Sequence, residues 1–408
     1  MYELCAKCQG RGFCGKSCRI LNRIKELQPK IGLEFEGNSP PEIFVGKFSY
    51  PNVFVGILSP PTYTEQAEKL SMPELWASEN ASINEILQYR SQLIYGRFKN
   101  NVFNARKQNS WQNKRFEAMQ EIAMASKPVA TEFRLGKKPQ LKAEFDNHVP
   151  IIGNPAPLEQ ARIQENPKIE KKVDYLANDS DAKANQGIRE LYKSKIAVSN
   201  IIKILSAGLL GLKKQRKLVP TRWAVTATDD SISKEMLEKI KTYQEVSDIL
   251  LFNSEYIGNH YEILLLPSEF QFEVIEAKMS GSVWNPQGTM YISQDYENFY
   301  GRKDYAEDVT GAYYANRLAV CEFLMKIRRQ ASCLFMRECR PEYWAPCGVG
   351  ILRECSRHAF MERVEKFSTI KEALQSAQKR LRLNISTFSS KSRILQEYKK
   401  QQKLNRFF

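Results

Sequence analysis

The sequence predicts a mixed α+β fold, with a mainly antiparallel sheet surrounded by many helices, a small N-terminal cysteine-rich knuckle and a flexible C-terminal tail. Three observations support this prediction. Runs of β-branched and aromatic residues on either side of turn residues alternate with segments of helical apolar periodicity. Four closely spaced cysteines open the chain, and residues 385–403 are polar and basic.

Composition narrows the class of protein. The 408 residues are 42% hydrophobic, which is enough for a substantial core in two or three domains or in one large domain with appendages. The net charge of +15 favours an anionic partner, most simply nucleic acid. Because no run of 18 apolar residues occurs and the start does not resemble a signal peptide, we expect no membrane span and a cytoplasmic location.

Four of the nine cysteines lie within the first 18 residues, at Cys5, Cys8, Cys14 and Cys18. Their spacing is C-x2-C-x5-C-x3-C, and the glycines between them provide tight turns. Four thiolates that converge tetrahedrally form a structural zinc site. The pattern therefore predicts a zinc finger over residues 1–28. An iron–sulfur cluster is the alternative, because its ligands are also four thiolates.

After the cysteine-rich knuckle, the sequence predicts a β-hairpin over residues 42–58. Two β-rich runs lie on either side of Ser-Tyr-Pro-Asn at 49–52, which has turn composition. Gly46 and Gly56 fall within the strands, which indicates a bulge or a close approach of other backbone.

Residues 79–126 are predicted to be helix-rich, and a further helix is predicted from about 186 to 212. In 79–126, basic and aromatic residues are interleaved, which is typical of single-strand binding by stacking and equally of amphipathic helices with a solvated basic face. The residues concerned are Arg97, Phe98, Lys99, Phe103, Arg106, Lys107, Trp111, Lys114, Arg115 and Phe116.

A candidate catalytic site follows from two predicted strands, 223–228 and 261–266. The first ends in Asp229 and Asp230, and the second follows His260. Paired carboxylates beside a histidine can bind a metal or act as acid and base, and Arg222 could bind a phosphate. Ligands in α/β proteins bind at strand ends, which is where these residues are predicted to lie.

We assign the core domain to residues 29–385. Its C-terminal part is predicted to contain a strand followed by two helices. A strand is predicted at 270–279, a long helix at 310–335 and a last helix at about 368–383. The gaps between Cys333, Cys339, Cys347 and Cys355 are long and uneven, so we interpret these four as small buried residues.

The tail, residues 386–408, ends in Q-x-x-L-x-x-F-F, formed by Gln401, Leu404, Phe407 and Phe408. Positions three and four apart share one face of a helical turn, so the leucine and the two phenylalanines form one apolar surface beside the glutamine. The pattern resembles the PIP box, the segment that replication and repair proteins insert into the sliding clamp PCNA. The polar residues before it would serve as a tether.

The four-cysteine finger and the terminal motif together resemble the archaeal Nre family of DNA repair proteins. Further agreeing segments are residues 39–41, 44–46, 50–53, 220–223, 228–230, 301–303 and 313–318. The resemblance implies a role in DNA damage repair with PCNA as partner, but neither a fold nor a reaction. Whether the core is an enzyme is therefore uncertain from the sequence. We expect a repair protein that binds DNA and is recruited to PCNA; the alternatives are a metal-dependent nuclease or nucleotide phosphoesterase and, less favoured, a nucleotide-binding sensor.

Overall fold

The computed structural model describes residues 4–15, 17–106 and 114–404, and the chain divides into two compact units. Among the described residues, the N-terminal unit comprises 5–15, 17–106, 114–232 and 346–350, and the C-terminal unit comprises Leu4, 233–345 and 351–404. The predicted fold class is confirmed, because helices accompany mainly antiparallel sheets in both units. The predicted boundaries differ from these units: the core assigned to 29–385 extends over both, and the cysteine segment lies within the N-terminal unit.

The helices of the N-terminal unit are short, and several begin at recognisable sequence signals. Ser82 and Glu85 form a reciprocal capping box, and Pro73 occupies a first helical position, where a missing N–H costs nothing. The helix predicted for 186–212 is instead two helices, because Lys195 adopts a left-handed backbone (φ 64°) between them. The helices are α1 (Leu4–Cys8), α2 (Arg19–Leu27), α3 (Pro73–Ser78), α4 (Ile83–Ser91), α5 (Lys114–Met124), α6 (Lys171–Asn178), α7 (Ala184–Lys193), α8 (Val198–Ser206) and α9 (Thr221–Ile240), which continues into the C-terminal unit.

The sheet of the N-terminal unit has the strand order β1-β5-β8-β4-β3-β2, in which β4 and β8 are parallel. The predicted hairpin is confirmed, with Ile43 opposite Ile57. A Cβ at Gly56 would collide with the carbonyl oxygen of Gly96 on the next strand, so the expected close backbone approach is also present. The strands are β1 (Glu34–Ser39), β2 (Ile43–Val45), β3 (Asn52–Ser59), β4 (Ile94–Asn101), β5 (Val129–Leu135), the short pair β6 (Ala143–Glu144) and β7 (Ile152–Gly153), and β8 (Pro155–Ile163).

The C-terminal unit has a second six-stranded sheet, in the order β12-β11-β13-β10-β9-β14. The strands predicted at 261–266 and 270–279 are confirmed as β10 and β11. The helix predicted for 310–335 ends at Ile327, where Arg328 is left-handed (φ 52°), and a fully buried strand follows. The elements are β9 (Ile249–Tyr256), β10 (Asn259–Leu266), β11 (Gln271–Lys278), β12 (Tyr291–Glu297), α10 (Gly311–Ile327), β13 (Ser332–Cys339), α11 (Val349–Ala359), β14 (Glu365–Phe367), α12 (Ile370–Gln378), α13 (Ser386–Ser389) and α14 (Arg393–Leu404).

The first part of the predicted flexible tail is packed onto this second sheet, which corrects the expectation for residues 386–395. Phe388, Ile394 and Leu395 are buried in one apolar cluster with residues of β9, β10, β11 and β13. The buried carboxylate of Glu273 on β11 accepts hydrogen bonds from Ser392 Oγ (2.6 Å) and from the backbone N–H of Arg393 (2.9 Å). A carboxylate at a helix N-terminus satisfies its unpaired N–H groups and complements the helix dipole, so Glu273 anchors α14.

The C-terminal motif is only partly within the described chain. The backbone of Gln401 and Leu404 is part of helix α14, whereas Phe407 and Phe408 lie outside the described residues. The later cysteines are buried as predicted: Cys333, Cys339, Cys347 and Cys355 are at most 2% exposed. Among the described residues, no helix has the length and apolar character needed to cross a bilayer.

Candidate nucleic-acid interface

The prediction of a strand at 223–228 is wrong, because these residues lie near the start of α9. The backbone N–H groups of Trp223 and Ala224 donate to the carbonyl of Pro220 at 2.8 and 3.0 Å, which starts the helix. Asp229 and Asp230 therefore lie in a helix and not at a strand end, and Asp229 is fully buried. The strand-end argument that grouped these carboxylates into a catalytic site does not hold.

His260 lies on β10 in the C-terminal unit, in a buried ionic cluster. Its Nε2 is 2.9 Å from Oε1 of Glu262, and the same carboxylate is bound by Arg380 at 2.8 Å. Asp229 and Asp230 belong to the N-terminal unit, so the two halves of the predicted catalytic site are parts of different units. The catalytic assignment of Asp229, Asp230 and His260 stays a prediction.

Arg222, the predicted phosphate ligand, lies in a cluster that the sequence did not indicate. Its Nη1 is 2.7 Å from Oδ2 of Asp146, and Nζ of Lys47 is 3.5 Å from the same oxygen. The other carboxylate oxygen accepts the backbone N–H of His148 at 2.8 Å. Because Thr221 Oγ1 accepts the N–H of Val45 at 2.9 Å, the first residue of α9 is fixed beside β2. Asp146 thus positions two cations from separate elements.

The two carboxylates near these cations have opposite pKa shifts. Burial alone would raise the pKa of Asp146, but hydrogen bonds from His148 and the charge of Arg222 bring it well below its ordinary value. Burial and the charge of Asp146 raise the pKa of Glu144, while Lys47 and Arg97 partly oppose that rise. Asp146 therefore remains ionised and keeps its cations in place over the whole neutral range.

Exposed aromatic rings surround this cluster. Phe48 is 67% exposed and Trp223 is 48% exposed, although rings of this size are normally buried. The Tyr50 and Trp223 ring centroids are 5.8 Å apart, and the Arg97 guanidinium lies 4.4 Å from the centroid of Phe54. We name the set the hairpin surface, which consists of Lys47, Phe48, Tyr50, Phe54, Arg97, Lys99, Arg222 and Trp223.

The basic–aromatic pattern predicted over 79–126 is divided between surface and core. Arg97 and Lys99, on β4, face Phe54 and belong to the hairpin surface. Phe98 and Phe116 are instead buried, as expected for amphipathic elements. Phe103 is exposed, and the guanidinium carbon of Arg106 lies 4.5 Å from its ring centroid. Lys107 and Trp111 lie outside the described residues.

The cysteine segment is attached to the same part of the N-terminal unit. The Gln9 side chain makes two hydrogen bonds with the backbone of Phe145, one residue from Asp146, at 2.7 and 2.8 Å. None of its four cysteines forms a disulfide, and Cys8 Sγ accepts the N–H of Phe13 at 3.2 Å. Burial, together with the neighbouring Cys18, Cys14 and Cys8, raises the pKa of the Cys5 thiol to about 12.

The residues that the structure describes include no group of three or more His, Cys, Asp or Glu side chains placed to coordinate a metal ion. The thiols of Cys8, Cys14 and Cys18 are nevertheless close enough to Cys5 to raise its pKa. The backbone does provide the turns that a compact thiolate site needs: Gly10, Gly12 and Gly15 all have left-handed φ values, of 80°, 78° and 70°.

Two family models match most of the chain. The model described as archaeal Nre, N-terminal, matches residues 13–285, and the model described as archaeal Nre, C-terminal, matches residues 297–407. The chain is 34% identical over 393 residues to the DNA repair protein NreB of Archaeoglobus fulgidus, with 96% of each chain covered. It is 35% identical over 386 residues to the DNA repair protein NreA of Haloferax volcanii, with 92% and 91% covered. No solved structure matches.

Proposed function

The chain belongs to the archaeal Nre family, and on this premise we propose that it is a DNA repair protein that binds DNA through the hairpin surface and is recruited to PCNA by its C-terminal motif. The curated relatives that cover the chain almost end to end are DNA repair proteins, which supports the repair role.

The observation that carries the DNA-binding part is the composition of the hairpin surface. Four cations, Lys47, Arg97, Lys99 and Arg222, accompany the carboxylates of Asp146 and Glu144, so positive charge exceeds negative charge within this set of described residues, beside exposed rings. Phosphates bind such cations with release of counterions, and aromatic rings stack on bases.

We expect the double variant Lys47→Gln/Lys99→Gln to bind DNA more weakly than the wild type. We also expect its DNA affinity to depend less steeply on salt concentration. Each lost phosphate contact lowers the slope of log affinity against log salt by about 0.9 on duplex or 0.7 on single strands. Arg222 remains bound to Asp146 in this variant, so the carboxylate keeps its nearer partner and the fold is not disturbed. Fluorescence anisotropy over a salt series measures the slope.

The matched control is Lys137→Gln/Lys138→Gln, which removes the same charge from an exposed position in the same unit. An equal loss of slope in the control would mean that only net charge matters. The hairpin surface would then not be the binding site.

We also propose that Cys5, Cys8, Cys14 and Cys18 bind one zinc ion. The spacing, the left-handed glycines between the cysteines and the N–H···S bond to Cys8 support the proposal. Bound zinc would cross-link the turn segment and contribute no open coordination position for catalysis.

Replacing Cys8 with serine is expected to release the metal and unfold residues 1–28, while the two sheets remain folded. Structural zinc contributes roughly 10–16 kcal/mol of apparent folding free energy in small sites. Elemental analysis measures the metal, and limited proteolysis locates the unfolded segment. Native protein that contains iron in place of zinc would favour the cluster alternative, and protein with no metal would refute the proposal.

A further inference from the structure

The two rings at the tip of the hairpin surface are held in place by rigid backbone. Tyr50 lies in the turn between β2 and β3, where Asn52 N–H donates to the carbonyl of Ser49 at 2.8 Å and Val102 N–H donates to the carbonyl of Pro51 at 2.9 Å. Trp223 lies in the first turn of α9, next to Thr221, which is bonded to Val45. The backbone that carries each ring is therefore already ordered when a ligand arrives, which lowers the entropic cost of binding.

The geometry of the pair determines how a flat ligand can contact it. The ring planes are inclined at 49°, with centroids 5.8 Å apart. Stacked bases follow one another at about 3.4 Å, so a base inserted between two rings would need roughly twice that distance and parallel planes. The pair therefore cannot enclose a base, but the exposed face of either ring can stack against one.

Two cations are close to this pair in the chain, and each is partly accessible. The side chain of Arg222 is 25% exposed and that of Lys47 is 32% exposed, while both contact Oδ2 of Asp146. Arg222 precedes Trp223 in the chain, and Lys47 is three residues before Tyr50. Each ring is thus close in sequence to a cation whose position Asp146 fixes.

We propose that an exposed ring face of the Tyr50–Trp223 pair stacks on an unpaired base of DNA while Arg222 and Lys47 bind its phosphate. The protein then prefers single-stranded or locally unstacked DNA to intact duplex, because the base faces of a duplex are already covered by neighbouring bases. This inference rests on the proposed DNA binding through the hairpin surface and specifies the form of DNA that the surface recognises.

The test uses the full chain and its variant Tyr50→Leu/Trp223→Leu, which removes both rings but keeps apolar side chains. The probes are a fluorescein-labelled oligothymidylate and a duplex of equal length, at one salt concentration. We expect the variant to lose on the order of 10- to 100-fold in affinity for the single strand, because base–aromatic stacking is lost, and to change little on duplex. The wild type is also expected to show tryptophan fluorescence quenching by the single strand, and Trp223→Leu to reduce that quenching.

The control is Tyr175→Leu, which removes another exposed ring that lies 5.1 Å from a lysine nitrogen, that of Lys172, in the same unit. It should leave both affinities unchanged. Unaltered single-strand binding by Tyr50→Leu/Trp223→Leu, when Lys47→Gln/Lys99→Gln still weakens binding, would overturn the stacking site and leave the DNA-binding surface intact. Equal losses on single strand and duplex would also overturn it. If neither double variant weakened binding, the hairpin surface itself would be refuted.

Discussion

The double variant Phe407→Ala/Phe408→Ala is expected to lose PCNA binding. Each ring is the kind of aromatic anchor whose removal costs about 2 kcal/mol or more at an interface hot spot. Loss of both corresponds to an affinity lower by on the order of 1,000-fold, which calorimetry would register as no binding at ordinary concentrations. A free peptide of residues 396–408 should compete with the whole protein for PCNA, because the motif is local in sequence.

The control for this variant changes the unspecified positions of the motif, as Gln402→Ala/Lys403→Ala, and should bind PCNA normally. DNA affinity and thermal stability of Phe407→Ala/Phe408→Ala should also be unchanged, because the buried anchors of α14 are Ile394 and Leu395, which precede the motif. Wild-type PCNA affinity in the phenylalanine variant would refute the recruitment proposal. A melting temperature lower by several degrees would show instead that the two rings belong to the core.

Replacing Arg337 with alanine is expected to destabilise the C-terminal unit by about 3–5 kcal/mol, the usual cost of breaking a buried ion pair from one side. Arg337 is 2% exposed, and its guanidinium bonds to the carboxylate of Glu276 and to Oδ1 of Asn259 (2.5 Å). Although burial would lower the pKa of Arg337, the charge of Glu276 raises it above its ordinary value, so the guanidinium stays charged. The substitution therefore leaves the buried Glu276 carboxylate without its hydrogen-bonded cation, while Lys278 Nζ stays 3.9 Å from Oε2.

Urea denaturation of the whole protein, monitored by circular dichroism, measures the effect. The double variant Arg337→Met/Glu276→Leu should recover part of the lost stability, because it removes both charges of the pair and fills the space, while Lys278 keeps its hydrogen bond to Ser293 Oγ at 3.1 Å. Arg382→Ala is the control: its ion pair with Glu342 is about half exposed, so its loss should cost less than about 1 kcal/mol. If the double variant were no more stable than Arg337→Ala, the unpaired charge would not be the cause.

Several elements could be predicted from the sequence because local patterns determine them. The turn composition at 49–52 specifies the β2–β3 hairpin, and the short apolar runs at 261–266 and 270–279 specify two strands. The uneven spacing of the later cysteines was enough to predict their burial. The two chain ends were enough to indicate the family, since their motifs are short and contiguous. The fold class followed from the same local signals.

Where local patterns were ambiguous, tertiary packing decided the structure. Residues 223–228 have the composition of a strand, yet they form the start of α9, where Thr221 bonds to β2. The run 332–339 extends an apolar helix pattern, but it becomes the central strand β13 because β10 and β11 pair with both of its edges. A fully buried run shows no periodicity that distinguishes the two.

The candidate site itself depended on contacts that no local pattern contains. Asp146 bonds to Arg222, which is 76 positions away in the sequence, and to Lys47, which is 99 positions away. Glu273 bonds to the start of α14, which is about 120 positions away. The sequence by itself determined the residue types, the net charge and the short motifs, because these are properties of neighbours in the chain. Only the folded sheets decided which of those charges and rings lie together, because long-range pairing brings distant segments within a few ångströms of one another.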